Sequence, residues 1–160
     1  YDQGGAWAAQ GHVIPALLQT LLADPYFALP APKSTGREHF NKAWLTALLQ
    51  PGWTAVDIQT TLVELTAYTI AQAIQAQTPQ THEVLVCGGG VHNEFLMQRL
   101  QALLPSSTVN STAFYGVDPD YVEAVTFAWL AARTLAGQPG NLTHVTGARH
   151  PVVLGAIYPT

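Results

Sequence analysis

A strand-like run that stops on three consecutive glycines constrains this chain more than any other feature. Glu83-Val84-Leu85-Val86-Cys87 leads into Gly88-Gly89-Gly90, and Val91-His92-Asn93 then opens an amphipathic stretch near Glu94. A strand, a turn without side chains and a helix start, in that order, form a corner suited to an anion or a nucleotide. Glycine lets the backbone come close to a ligand, and the unpaired N–H groups of a first helical turn point toward it. The same residues would also serve a tight turn that needs positive φ and binds nothing. Short glycine motifs do not by themselves separate these readings.

The rest of the chain supplies the elements around that corner. Ile14, Leu17, Leu18, Leu21 and Leu22 recur at helical spacing, and Asp24-Pro25 ends that helix. Tyr26 to Ser34 holds two prolines, Pro30 and Pro32, and reads as an extended connector. A helix is expected over about 37–49, with Phe40, Trp44, Leu45 and Leu48 on one side and Pro51-Gly52 as its stop. Thr54 and Asp57 resemble a capping box opening a long helix to about Gln77, with Ile58, Leu62, Leu65 and Ile70 as its buried stripe. Past the corner, a helix over about 94–104 buries Phe95, Leu96, Leu100 and Leu103, and a second short strand follows at about 107–112. Asp118 and Pro119 start a helix running to about Ala136, which Gly137 stops, and 152–157 reads as a strand or a docked tail. Residues 1–80 are therefore mainly helical, whereas 81–160 alternate strand and helix, the pattern of an α/β architecture.

Several function classes are disfavoured by composition. The formal net charge is −4, and the six basic residues are scattered, so no basic stripe is available for nucleic acid. No run of about 18 apolar residues predicts a membrane span. Only 10% of residues are charged, against roughly 25% in an average domain. That shortage predicts a surface covered by something else, either further parts of the same protein or a second subunit. Cys87 is the single cysteine, which fits a reducing, cytoplasmic compartment, and its place at the end of an apolar strand predicts a small buried thiol. The six histidines include no pair at i, i+3 or i, i+4, so ligand spacing for a protein-bound metal is missing. A Gly-x-x-x-x-Gly-Lys-Ser/Thr loop is also missing.

The run from Cys87 to Leu100, CGGGVHNEFLMQRL, resembles the nucleotide-site segment of anhydro-N-acetylmuramic acid kinases. Tyr1–Gly11 (YDQGGAWAAQG), Pro32–Asn41 (PKSTGREHFN), Glu123–Ala131 (EAVTFAWLA) and the tail from Gly137 to Pro159 resemble the same family in the same order. The resemblance covers almost the whole chain. It implies the C-terminal part of a two-lobe fold shared with actin, hexokinase and the heat-shock-70 ATPase (ribonuclease-H-like), in which ATP binds between lobes. This chain would supply much of the second lobe. The first lobe, the catalytic aspartate and the first phosphate loop would lie upstream of Tyr1, so the chain alone is expected to be inactive. The absence of an initiator Met also fits a fragment. The implied activity opens the 1,6-anhydro ring of anhydro-N-acetylmuramic acid and phosphorylates O6 with ATP and its accompanying Mg2+, in a protein expected to pair as a homodimer.

On that resemblance, Gly88, Gly89 and Gly90 would lie against the base and ribose of ATP. Asn93 either caps the following helix or reaches ribose or phosphate. Glu123 sits early in a nearly apolar helix, where a surface carboxylate would favour the helix dipole and a buried one would need a partner. The resemblance implies that it accepts hydrogen bonds from the anhydro-sugar, as a substrate contact and not as the main base. In Lys33-Ser34-Thr35-Gly36-Arg37-Glu38, helix capping by Ser34 or Thr35 with Glu38 accounts for the hydroxyls and the acid. Lys33 and Arg37 are left as nucleotide-side candidates. His92 reads as a solvent-facing loop residue. Rival readings are another sugar kinase of the same superfold, a doubly wound dinucleotide-binding domain and a non-catalytic partner-binding module. The dinucleotide reading lacks its Gly-x-Gly-x-x-Gly motif.

Overall fold

Most helices begin where the sequence supplies a cap or a proline. The computed structural model describes residues 1–158; Pro159, the end of the last resembling block, and Thr160 lie outside it. Pro15 opens α1 (Pro15–Leu22), and the Asp24 side chain accepts from the Tyr26 N–H to start the short α2 (Pro25–Ala28). Asn41 caps α3 (Lys42–Thr46) through the Trp44 N–H, and Thr54 caps α4 (Ala55–Gln77) through the Asp57 N–H. The chain then runs through β1 (Glu83–Val86), α5 (Glu94–Leu103), β2 (Thr108–Ser111), α6 (Val122–Leu135) and α7 (Thr143–Thr146). β1 and β2 pair in parallel, from Glu83 opposite Thr108 to Val86 opposite Ser111, with α5 as the connection. The result is mixed helix and parallel sheet, as the alternation after residue 80 predicts.

The main core lies where α1, α3 and α4 meet. Leu17, Leu21 and Leu65 are its buried centre, with Leu18, Trp44, Leu45, Leu48, Ile58 and Leu62 packed around them. Burying a leucine fully stabilises the fold by about 1.5–3 kcal/mol, so Leu17 and Leu21 are principal anchors. A polar seam runs along α4 beside this core. The Thr60 hydroxyl donates to Ala8 O, Thr61 Oγ1 accepts from the Ile14 N–H, and Glu64 pairs with Arg99 of α5. These bonds fasten the N-terminal segment and α5 onto one helix. Among the described residues, no helix is long and apolar enough to cross a membrane.

Several expectations need correction. The helix expected over 37–49 is reduced to α3, and no helix starts at Ser34 or Thr35 for those hydroxyls to cap. Residues 37–40 turn instead, which brings Phe40 to 5.4 Å from both the Tyr26 and Phe27 rings and 4.9 Å from Trp44. Asp24 ties the same cluster together, accepting from Trp44 Nε1 at 2.9 Å and from His39 Nε2 at 3.0 Å. Burial pushes the Asp24 carboxyl up, but the bonds from His39, the Tyr26 N–H and Trp44 outweigh it and hold the group below its ordinary value. The capping box at Thr54 is altered too: Asp57 takes the Thr54 hydroxyl and the His12 N–H, each at 2.7 Å. In the α4 stripe Ile70 is exposed, while Val63, Ala67 and Ala71 are buried. Residues 152–157 form no strand and dock through the Val152 N–H to Asn141 and the Thr134 hydroxyl to Leu154 O.

Cys87 is exposed, not buried. The cause is the sheet itself. Val84 and Val86 are half-buried, whereas Glu83, Leu85 and Cys87 alternate onto a face that stays exposed among the described residues. Parallel strands are ordinarily covered on both faces.

Candidate active site

The glycine corner leaves β1 at the C-terminal end of the parallel pair, where open α/β sheets place their ligands. Gly88 has φ +75°, the left-handed region that a side chain resists, so its glycine follows from the turn alone. Gly89 and Gly90 differ. Neither has a positive φ, and both belong to a 3-10 turn that ends at His92. A Cβ on Gly89 would meet nothing within 4 Å, and one on Gly90 would make only an ordinary contact with Leu96 at 3.8 Å. Among the described residues nothing requires glycine at those two positions.

Asn93 then caps α5, its Oδ1 accepting from the Leu96 N–H at 2.9 Å. Capping is thus one of its roles; its side-chain amide donates no hydrogen bond among the described residues. Facing it is the segment Tyr1–Gly11, whose fold is set by Asp2: the carboxylate accepts from the Trp7 and Ala8 N–H groups, each at 2.9 Å. Gly5 in that segment is buried against Asn93 and Phe95. The two segments flank an open cavity of about 780 Å3, whose lining includes Asp2, Gln3, Gln59, Gly89, Gly90 and Asn93. Sequence reasoning singled out the glycine side of this cavity and missed its other wall. The resemblance marked Tyr1–Gly11 as a block, but the hydrophobic pattern gives no sign that it packs on the corner.

On the far side, the corner is joined to the start of α6. The Gly88 N–H donates to Pro119 O at 2.9 Å, and His92 Nε2 donates to the Asp120 carboxylate at 2.8 Å. His92 is therefore exposed but not idle. Asp118 caps a 3-10 turn over Pro119–Tyr121, and α6 proper begins only at Val122. Glu123 lies in the first turn of α6, exposed and without a hydrogen-bond partner among the described residues. So are its neighbours: Val125 is 60% exposed, Phe127 71% and Trp129 52%. Within this chain Glu123 is not a buried acid.

Lys33 and Arg37 do not line the cavity. The Lys33 ammonium donates to Tyr26 O and Phe27 O, each at 3.0 Å, and lies 4.8 Å from the Tyr26 ring centroid. Arg37 is exposed and makes no hydrogen bond among the described residues. No group of three His, Cys, Asp or Glu side chains gathers among the described residues.

The family model of anhydro-N-acetylmuramic acid kinase matches residues 1–160. The chain belongs to the anhydro-N-acetylmuramic acid kinase family. Curated relatives bearing that name agree closely. The protein of Xanthomonas campestris pv. campestris (strain 8004) is 57% identical over 164 aligned positions, covering 99% of this chain and 42% of its own length. The relative in Pseudomonas fluorescens (strain Pf0-1) is 55% identical over 99% of this chain and 44% of its own length. For Xylella fastidiosa (strain Temecula1 / ATCC 700964) the values are 54%, 99% and 42%. The chain thus spans about two-fifths of the curated kinases it matches.

Proposed function

We propose that this chain is the C-terminal portion of an ATP-dependent sugar kinase that hydrolytically opens the anhydro ring of anhydro-N-acetylmuramic acid and phosphorylates O6. The observation that carries the nucleotide half of this reading is the pair Gly89-Gly90. Glycine there answers no strain and no crowding among the described residues, which supports a ligand laid against the backbone. A purine nucleoside laid on a bare backbone fits that space, and the adjoining cavity of about 780 Å3 is large enough to receive one. Mg2+ would arrive on the phosphates, held largely by them and by water.

In the reaction, water adds at C1 as the C1–O6 bond breaks, its proton passing to a base. The freed O6 then attacks the γ-phosphorus and ADP leaves. Glu123 is the substrate contact, a carboxylate accepting hydrogen bonds from sugar hydroxyl or amide groups. The base and the first phosphate loop belong to a preceding lobe that closes over the corner. The apolar residues exposed on α6 and Leu85 exposed on β1 support that lobe, because exposed apolar patches ordinarily mark a contact surface. Of the two nucleotide-side candidates, Arg37 makes no hydrogen bond among the described residues and is the better placed to meet phosphate, while Lys33 is already held by two carbonyls. Pairing as a homodimer and residence in the cytoplasm rest on the family likeness alone.

Gly89→Ala tests the nucleotide placement. In the intact protein the melting temperature is expected to stay within about 1 °C, since the new methyl meets nothing in the chain. The KM for ATP is expected to rise roughly tenfold or more, as overpacking against a ligand costs about 1–3 kcal/mol. An unchanged KM would remove the nucleotide from this corner.

A further inference from the structure

The corner and the helix carrying Glu123 are joined by two hydrogen bonds of different kinds. One is backbone, from the Gly88 N–H to Pro119 O at 2.9 Å. The other is side chain, from His92 Nε2 to Asp120, whose two carboxylate oxygens lie 2.8 and 3.0 Å away. His92 ends the glycine turn, and Asp120 is in the turn that runs directly into Val122 and Glu123. We propose that His92 and Asp120 are positioning residues, a latch that fixes the start of α6 against the glycine corner and so sets where Glu123 stands relative to bound nucleotide. This inference rests on the sugar-kinase reading for Glu123. The latch itself rests on the geometry alone.

Its physical logic is short-range. Asp118 accepts from the Asp120 N–H at 2.9 Å, which stiffens the turn. With the turn stiff, a displacement of the corner passes to the first turn of α6 and not into slack chain. His92 and Asp120 side chains are 60% and 54% exposed, so the pair contributes little to global stability. A contact of low stability value at a junction between two ligand-facing elements is suited to positioning.

The test uses the intact protein with His92→Ala, Asp120→Ala, the double variant and His92→Gln, which keeps a donor near the Nε2 position. Each single alanine variant is expected to raise the KM for both ATP and the anhydro-sugar by about two- to fivefold, the range an exposed side-chain pair supplies. The double variant is expected to be no worse than either single, and His92→Gln to recover most of the loss. In parallel, hydrogen exchange at the Gly88 amide is expected to quicken in His92→Ala without ligand. Additive losses in the double variant, or KM values that do not move, would overturn the positioning role. Unchanged Gly88 protection would overturn the latch. Should the wild-type protein show no sugar-dependent turnover, the kinase reading and the role of Glu123 fall with it, and the Gly88 amide still decides whether the latch exists.

Discussion

Arg99→Ala is expected to destabilise the protein by about 2–4 kcal/mol, somewhat below the usual cost of breaking a fully buried ion pair. Glu64 projects from α4 with only 8% of its surface exposed. Arg99 on α5 meets it with both arms of the fork, Nε to Oε2 at 2.7 Å and Nη2 to Oε1 at 3.1 Å. The bond to Glu64 pushes the Arg99 guanidinium up from its ordinary range, against the opposing effect of burial. Removing Arg99 strands a carboxylate in a seam with little access to water. Its own side chain is 36% exposed, which moderates the loss. Lysine cannot reproduce the two-pronged contact, so Arg99→Lys should recover only part. The double replacement Glu64→Leu with Arg99→Met should be milder than Arg99→Ala, because no charge is left unpaired. Urea unfolding midpoints of the four proteins check this; a loss under about 0.5 kcal/mol in Arg99→Ala would mean that the pair does not hold α5 to α4.

Gly5→Ala is expected to cost at least about 3 kcal/mol, combining backbone strain with overpacking. Gly5 is buried at φ +74°. A Cβ there would run into Asn93 Oδ1 and come within 2.8 Å of Phe95 Cβ. Neither can yield freely. Phe95 Cβ is fixed to the backbone of α5, and Asn93 Oδ1 already holds the Leu96 N–H. The substitution therefore loosens the start of α5 as well as the segment packed on it. Faster hydrogen exchange at the Leu96 amide, together with a lower melting temperature, is the expected signature. Gly89→Ala is the built-in control, since its new methyl meets open space.

These two positions also mark where the sequence stopped being readable. The strand, glycine turn and helix at 83–103 could be read from local pattern because each piece has its own signal: β-branched residues, glycines, then a capping Asn and an apolar period. The corner's other wall has no such signal. Asp2-Gln3-Gly4-Gly5 looks like loop, and only the fold shows that it lies against Asn93. Glu64 was equally hidden, because a carboxylate amid Leu62, Val63 and Leu65 differs from a solvent-facing one only by its distant partner Arg99. Cys87 failed for a different reason. Pattern predicts which residues suit burial but not whether the covering element is in the same chain. Leu85, Cys87, Phe127 and Trp129 all stay exposed among the described residues.

ADP release by the intact protein, measured with and without anhydro-N-acetylmuramic acid and beside Glu123→Ala, tests the account most directly. The expected result is ADP release that depends on the sugar, with kcat/KM for the sugar about 10- to 100-fold lower in Glu123→Ala, the cost of a lost hydrogen bond to a charged group. ADP release indifferent to this sugar, or a Glu123→Ala protein as active as wild type, would contradict it.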